Sequence, residues 1–471
     1  MERVNRGSLM TNKYRTLPQD TQGMPTGVPY IVGNELSERF SYYGMRAILV
    51  VFMTHHLKNA AGELAPMTPE AAKTAFHTFA MTAYFLPLIG AVLADAWLGK
   101  YRTIMLLSWV YCLGHLALAL DETKFGLYSG LTLIAIGAGG IKPCVSAHVG
   151  DQFGPRNQSL LERVFGWFYF SINLGSFVST LLTPWLLEHV SARVAFGVPG
   201  VLMLVATLVF WLGRKEFAHI EPSGPAFLRE LASPAGRSLV LKLLGLVLFI
   251  AMFWSLYDQN SSAWVLQAER MDRHFLGVEW LPSQVQAINP ILVLAFIPLT
   301  TYAIYPAISK VFPLTALRKI TLGFFLTVAA FVISAYIEMR LDAGAQLNIG
   351  WQLFAFTVLT MAEVLVYGTG LEFFYSQAPN SMKSFIMGLF MLSISMGNAF
   401  TALVNLAIQK PDGTSRLSGS EYYLFFAGLM LATTLGFIAY AARYREHRFV
   451  QGDAGLNAQG EPQDEAATVR A

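Results

Sequence analysis

Glu35-Leu-Ser-Glu38-Arg39-Phe40-Ser-Tyr42-Tyr43-Gly44-Met-Arg46 sets four ionisable side chains directly before the apolar run Ala47 to Met53. At helical spacing Glu35, Arg39, Tyr42 and Arg46 share one stripe, with Glu38 beside it. Each charge at a bilayer centre costs about 2.5–3.5 kcal/mol on insertion scales, so a lipid-facing cluster of this kind would scarcely insert. Two readings remain. Either the segment is a polar stretch just outside the bilayer, or it spans with its stripe turned to a protein interior or a water-filled cavity. In the second case its acids and bases pair, and the cluster marks a proton or substrate pathway.

The rest of the chain favours the membrane. Of 471 residues 54% are hydrophobic and only 13% charged, against about 25% charged in soluble domains. A net charge of +3, with no basic tract interleaved with aromatics, gives no support to nucleic-acid binding. The two cysteines, Cys112 and Cys144, form no C-x-x-C pair, so neither a disulfide scaffold nor a thiolate metal site is expected. Residues 1–28 lack the apolar core of a cleavable signal, and the first apolar helix is expected to serve as the insertion signal.

Stretches long enough to cross a bilayer, about 20 residues, are expected at 29–56, 72–97, 101–120, 126–148, 160–188, 192–212, 237–267, 283–309, 315–338, 350–376, 382–408 and 421–444. The longest break, 213–236, carries three prolines and several charges and divides the spans evenly. The reading is an all-α membrane protein of twelve transmembrane helices in two six-helix bundles. It assigns a tail over 1–28, one bundle over 29–212, a linker over 213–236, a second bundle over 237–445 and a tail over 446–471. Within the linker, Ala226 to Ala232 is expected to form a short surface helix, and the C-terminal tail is expected to be disordered. Lysines and arginines are about twice as numerous on the side of the termini, which places both termini in the cytoplasm of a multi-pass cell-membrane protein. Pro87, Gly137, Gly139, Gly140, Pro143, Pro290 and Pro298 weaken helices. They serve either close packing or the kinks of alternating access.

Several motifs together resemble one family. Glu35-x-x-Glu38-Arg39-Phe40 with Tyr42-Tyr43-Gly44 is similar to the signature of the proton-coupled oligopeptide transporters of the major facilitator superfamily. Gly139-Gly-Ile-Lys142-Pro143 and Phe168-Tyr-Phe-Ser-Ile-Asn173-Leu-Gly-Ser agree with it. So do Phe253-Trp254-Ser-Leu-Tyr-Asp258 and Gly370-Leu-Glu372-Phe-Phe-Tyr-Ser-Gln-Ala-Pro, in a form close to the animal members. Gly90-Ala-Val-Leu-Ala-Asp95-Ala-Trp-Leu-Gly99-Lys100 resembles the superfamily's gating motif. The resemblance runs from about Tyr30 to Arg445. It implies the major facilitator fold and a monomeric symporter that imports di- and tripeptides with protons, the proton being the coupling ion and no other cofactor being needed. It places Glu35, Glu38, Arg39, Asp258 and His77 in proton coupling. Tyr42, Tyr43, Arg46, Tyr84, Lys142, Asn173, Trp254, Asn289 and Glu363 fall at positions lining the peptide pocket. Two features depart from the pattern. Phe390 stands where a tryptophan is common, and Thr301 replaces the acidic partner expected for Lys242.

The residue types suit that task. A short peptide is a zwitterion, so its site needs a cation, an anion, backbone partners and tolerant surfaces. Arg46 and Lys142 can attract the carboxylate, and Glu363 can take the ammonium from the other half. Asn173 and Asn289 can both donate and accept. Tyr42, Tyr43, Tyr84 and Trp254 offer apolar faces with polar edges. Each of these also has a packing, interfacial or interhelical alternative. A transporter of another small solute, such as a peptide-like drug, an amino-acid conjugate or nitrate, and a non-transporting peptide sensor stay open. A membrane enzyme does not, because no catalytic motif supports one.

Overall fold

The computed structural model describes residues 14–222, 224, 232–377, 383–411 and 414–444. The expected linker helix at Ala226 to Ala232 and the tail over 446–471 therefore lie outside the described residues, apart from Ala232 itself. The first half holds α1 (Val28–Val51), α2 (Pro69–Leu93), α3 (Lys100–Leu120), α4 (Lys124–Gly150), α5 (Leu161–His189) and α6 (Ala192–Leu212). The second holds α7 (Pro234–Tyr257), α8 (Ile288–Leu299), α9 (Ala316–Asp342), α10 (Gly350–Glu363), α11 (Lys383–Ile408) and α12 (Ser420–Ala441). Taken together with the turns and short helices that continue them, all but α1 belong to runs long and apolar enough to cross a membrane, α8 within Pro282–Ser309 and α10 within Gly350–Ser376. With 24 residues α1 is also long enough, and its charges are what set it apart.

Helix starts are written locally. The hydroxyls of Thr68, Thr123, Ser191, Ser233 and Thr315 each accept from a first-turn amide of α2, α4, α6, α7 and α9, satisfying donors that a helix N-terminus leaves free. Between α2 and α3 the chain turns at Gly99, whose φ of 77° is the left-handed region that glycine reaches without cost. Helix ends are less regular. Wide turns follow α1 at Phe52–His56, α2 at Ala94–Leu98, α8 at Thr300–Ile304 and α10 at Val364–Gly368. The expected span at 237–267 is one apolar run, Gly236–Glu269, but its helix is interrupted: α7 stops at Tyr257, a tight turn covers Asp258–Ser261, and a short helix resumes at Ala263–Glu269. Pro290 lies in the first turn of α8, directly after the tight helical turn Pro282–Ala287, whereas Pro298 lies inside the helix.

Each half buries its own apolar core. One gathers Ile31, Ile48, Phe52, Phe76, Ile134, Phe196 and Phe210, the other Phe253, Trp264, Phe324, Phe331, Phe356 and Phe426. The halves meet along two seams, α2 on α11 and α5 on α8. The Ser395 hydroxyl donates to the Met81 carbonyl at 2.8 Å, Gln409 Nε2 to Thr68 Oγ1 at 2.9 Å, and Gln284 Nε2 to the Leu181 carbonyl at 2.8 Å. Thr68, Leu181, Gln284 and Gln409 lie toward the ends of α1 and α2 that face away from the termini, so the bundles are closed there.

Candidate functional site

The motif in α1 lies inside the first bundle, so its stripe is turned to the protein interior. Arg39 Nε stands 2.6 Å from Glu35 Oε1, one helical turn back, and 3.3 Å from Glu38 Oε2. Both carboxylates are about 1% exposed, and the guanidinium faces the space between the bundles. α5 passes close behind, because a Cβ on Gly175 would come within 2.7 Å of the Leu36 carbonyl and 3.0 Å of the Phe40 amide.

That space is a cavity of about 720 Å³. Its walls bring together Arg39, Tyr43, Arg46, Tyr84, Lys142 and Asn173 from the first bundle with Trp254, Asp258, Asn289 and Glu363 from the second. Lys142 Nζ is 3.5 Å from the ring centre of Tyr42 and 4.6 Å from that of Tyr84, an arrangement that holds a cation without neutralising it. Tyr42 itself is buried beneath Lys142 and does not line the cavity. Opposite, Asn289 Nδ2 donates to Glu363 Oε2 at 2.8 Å and to Thr360 Oγ1 at 3.0 Å. The wide turn that starts just after Glu363 ends the regular ladder of α10 there. Asn173 donates to the Tyr169 carbonyl at 2.9 Å and lines the cavity. Phe390 is fully buried and packs against Phe374 and Tyr367 at 5.2 and 5.8 Å.

At the closed end a polar chain ties the bundles. Arg46 Nη2 contacts Asp258 Oδ1 at 2.5 Å. Asn398 Nδ2 donates to Asp258 Oδ2 at 2.5 Å, and Asn398 Oδ1 meets His77 Nδ1 at 2.7 Å. His77 Nε2 meets Ser262 Oγ at 2.9 Å. Asp258 opens the tight turn after α7 and Ser262 follows it, and both reach this chain. His77 is fully buried and away from the cavity wall.

At the other end the cavity reaches Asp95 and Lys100, on the face where the α2–α3 and α4–α5 connections lie. Lys100 Nζ pairs with Asp151 at 2.8 Å. Gly90 lets α2 touch α4: a Cβ there would lie 2.5 Å from the Gly140 Cα. The N-terminal segment straps the same face, with Arg15 3.4 Å from Glu216 and Arg156 3.2 Å from Asp20. Lys242 sits 4.6 Å from the ring centre of Tyr444.

Sequence reasoning passed over Asn398, Ser262, Thr360 and Asp151. Asn398 carried a usable signal, since an amide deep in the apolar α11 must find a polar partner. Ser262 and Thr360 carried none, because hydroxyls are satisfied by their own helix as readily as by a neighbour.

The model of the POT family matches residues 101–235 and 231–422. Peptide transporter family 1 of Drosophila melanogaster is 39% identical over 68% of this chain and 48% of its own length. Solute carrier family 15 member 2 of Homo sapiens is 36% identical over 72% of this chain and 52% of its own. The chain thus spans about half the length of the curated relatives it matches. Among solved structures, the POT family transporter PepTSo superposes with a TM-score of 0.81 at 36% identity, covering 89% of this chain and 98% of that one. The chain is a membrane protein of the major facilitator fold and belongs to the POT family of transporters; it is not an enzyme.

Proposed function

We propose that the protein imports di- and tripeptides together with protons by alternating access, as a monomer with the proton as its coupling ion. The observation that carries this is the division of charge across the cavity. Arg46 and Lys142 stand on the first bundle and Glu363 on the second, so a zwitterion satisfies both and draws the bundles together. Two or three residues span roughly 7–11 Å between termini, and about 720 Å³ lies within the range of small-molecule sites. A proton on Asp258 removes the charge that neutralises Arg46, whose guanidinium can then receive the substrate carboxylate while keeping its contact with Oδ1. Asn173, Asn289, Tyr43, Tyr84 and Trp254 bind the peptide backbone and side chains. Tyr42 acts by holding Lys142. Glu35, Glu38 and Arg39 couple the proton, while Gly90, Asp95, Gly99 and Lys100 form the gate on the side of the termini, which faces the cytoplasm of a cell membrane. The test is uptake of labelled dipeptides by purified protein in liposomes. An inward proton gradient should drive accumulation; no stimulation across a varied dipeptide panel would reject the reading in favour of another solute or a sensor.

A further inference from the structure

Asn398 lies between the two titratable members of the bundle-bridging chain and is fully buried. Both protons on its Nδ2 are committed, one to Asp258 Oδ2 at 2.5 Å and one to the Ile394 carbonyl at 2.9 Å. Two acceptors on that side fix the amide, so its Oδ1 must face His77 Nδ1, at 2.7 Å. An amide oxygen can only accept. Neutral His77 therefore carries its proton on Nδ1, and its Nε2 accepts from the Ser262 hydroxyl at 2.9 Å.

Resting on the proton-coupled reading above, we infer that Asn398 is a reversible amide relay that turns protonation of Asp258 into a change of tautomer at His77. Asp258 belongs to the second bundle and His77 to the first, so one proton reports to both. Arg46 holds Asp258 Oδ1 and can only donate. An added proton thus settles on Oδ2, the oxygen toward Asn398, which then donates where it had accepted. Asn398 answers by turning its amide, presenting Oδ1 to Asp258 and Nδ2 to His77. The His77 Nδ1 must now accept, so the ring proton resides on Nε2 and is donated to Ser262 Oγ. The protons balance: one enters at Nε2 from the Ser262 side, the one that leaves Nδ1 is the one that comes to rest on Asp258 Oδ2, and the ring ends neutral with one proton gained overall. Turning the amide also gives up the bond to the Ile394 carbonyl, which returns it once Asp258 ionises. The charged and titratable groups around His77 are Arg46 of α1, Lys73 of its own helix and Asp258. Around Asp258 they are Tyr42 and Arg46 of α1, His77 and Tyr84 of α2, Tyr257 beside it, and Glu363 of α10.

The experiment is nitrogen-15 NMR of histidine-labelled full-length protein in liposomes at neutral pH, with the His77 signals identified by their loss in His77→Gln. Wild type should show protonated Nδ1. Asp258→Asn should show protonated Nε2, because donor-only Arg46 admits only the new amide's carbonyl and leaves its NH2 toward Asn398. In an Asn398→Leu background the same Asp258→Asn change should leave the tautomer where it was. Asn398→Ala serves as a second background should the leucine variant not fold. One tautomer in both wild type and Asp258→Asn would overturn the relay, and so would a switch that survives loss of Asn398. No substrate enters this measurement, so a failure here and a failure of dipeptide uptake are separate results.

Discussion

Arg39 serves two carboxylates at once, and among the described residues neither has another cation within ion-pair distance. Removing one partner of a buried pair costs about 3–5 kcal/mol, because an uncompensated charge stays behind. Arg39→Met should therefore lower the melting temperature in detergent markedly, and adding Glu35→Gln with Glu38→Gln should restore most of the loss. The double variant Glu35→Gln, Glu38→Gln with Arg39 intact keeps hydrogen bonding but removes titration. It should reach the membrane folded yet show no uptake against a concentration gradient; normal accumulation would place coupling elsewhere. Glu363 invites a paired comparison. Hydrogen bonds to charged groups contribute about 1.5–3 kcal/mol, so N-acetylation of a dipeptide should weaken wild type roughly ten- to a hundredfold. The same acetylation should add little to the loss in Glu363→Gln. Equal penalties in both proteins would show that Glu363 does not hold the ammonium.

Among the helices, close approach rather than apolar area sets which neighbours touch, as expected where lipid competes equally for apolar faces. Gly90 against Gly140 and Gly175 against Leu36 are the two contacts that matter most to the site, since they seat α4 with Lys142 and α5 with Asn173. Overpacking of this kind costs about 1–3 kcal/mol. Gly90→Ala and Gly175→Ala should each destabilise by that order in thermal denaturation. Gly33→Ala, with nothing within 4 Å of its Cβ position, should not. Element positions were largely legible, since an apolar run of span length is a local property. The stop of α7 at Tyr257 was not. Asp258-Gln259-Asn260-Ser261-Ser262 reads as a polar patch within a span, and its turn is held by partners in the turn just before α8 and on α11. Ser261 donates to Gln286 at 2.6 Å and Asn398 to Asp258, contacts without any sequence-local trace.

At the scale of the whole molecule the two seams seal one face and leave the cavity reaching the other. A single cysteine at Ser146, on the cavity wall, introduced after replacing Cys112 and Cys144, should react with a membrane-impermeant thiol reagent from the side of the termini. One at Ser395, buried in the seam, should resist it from either side. Equal labelling of both would mean that this closed arrangement is not the resting one. Saturating dipeptide should slow labelling at Ser146 if binding draws the bundles together.

Membership of the membrane class, the number of spans and the presence of inward charges were legible because a bilayer imposes its demands on contiguous residues: length, apolarity and the cost of each ion. Lys142 and Glu363 could be chosen as candidates for the same reason, since a charge deep in a span needs a purpose. Partners could not be chosen. Arg46 and Asp258 are separated by 212 positions and His77 and Asn398 by 321, and nothing local tells a buried carboxylate which helix will face it. That choice was made by the packing of two bundles with separate cores, which set one polar chain where α1, α2, α7 and α11 meet.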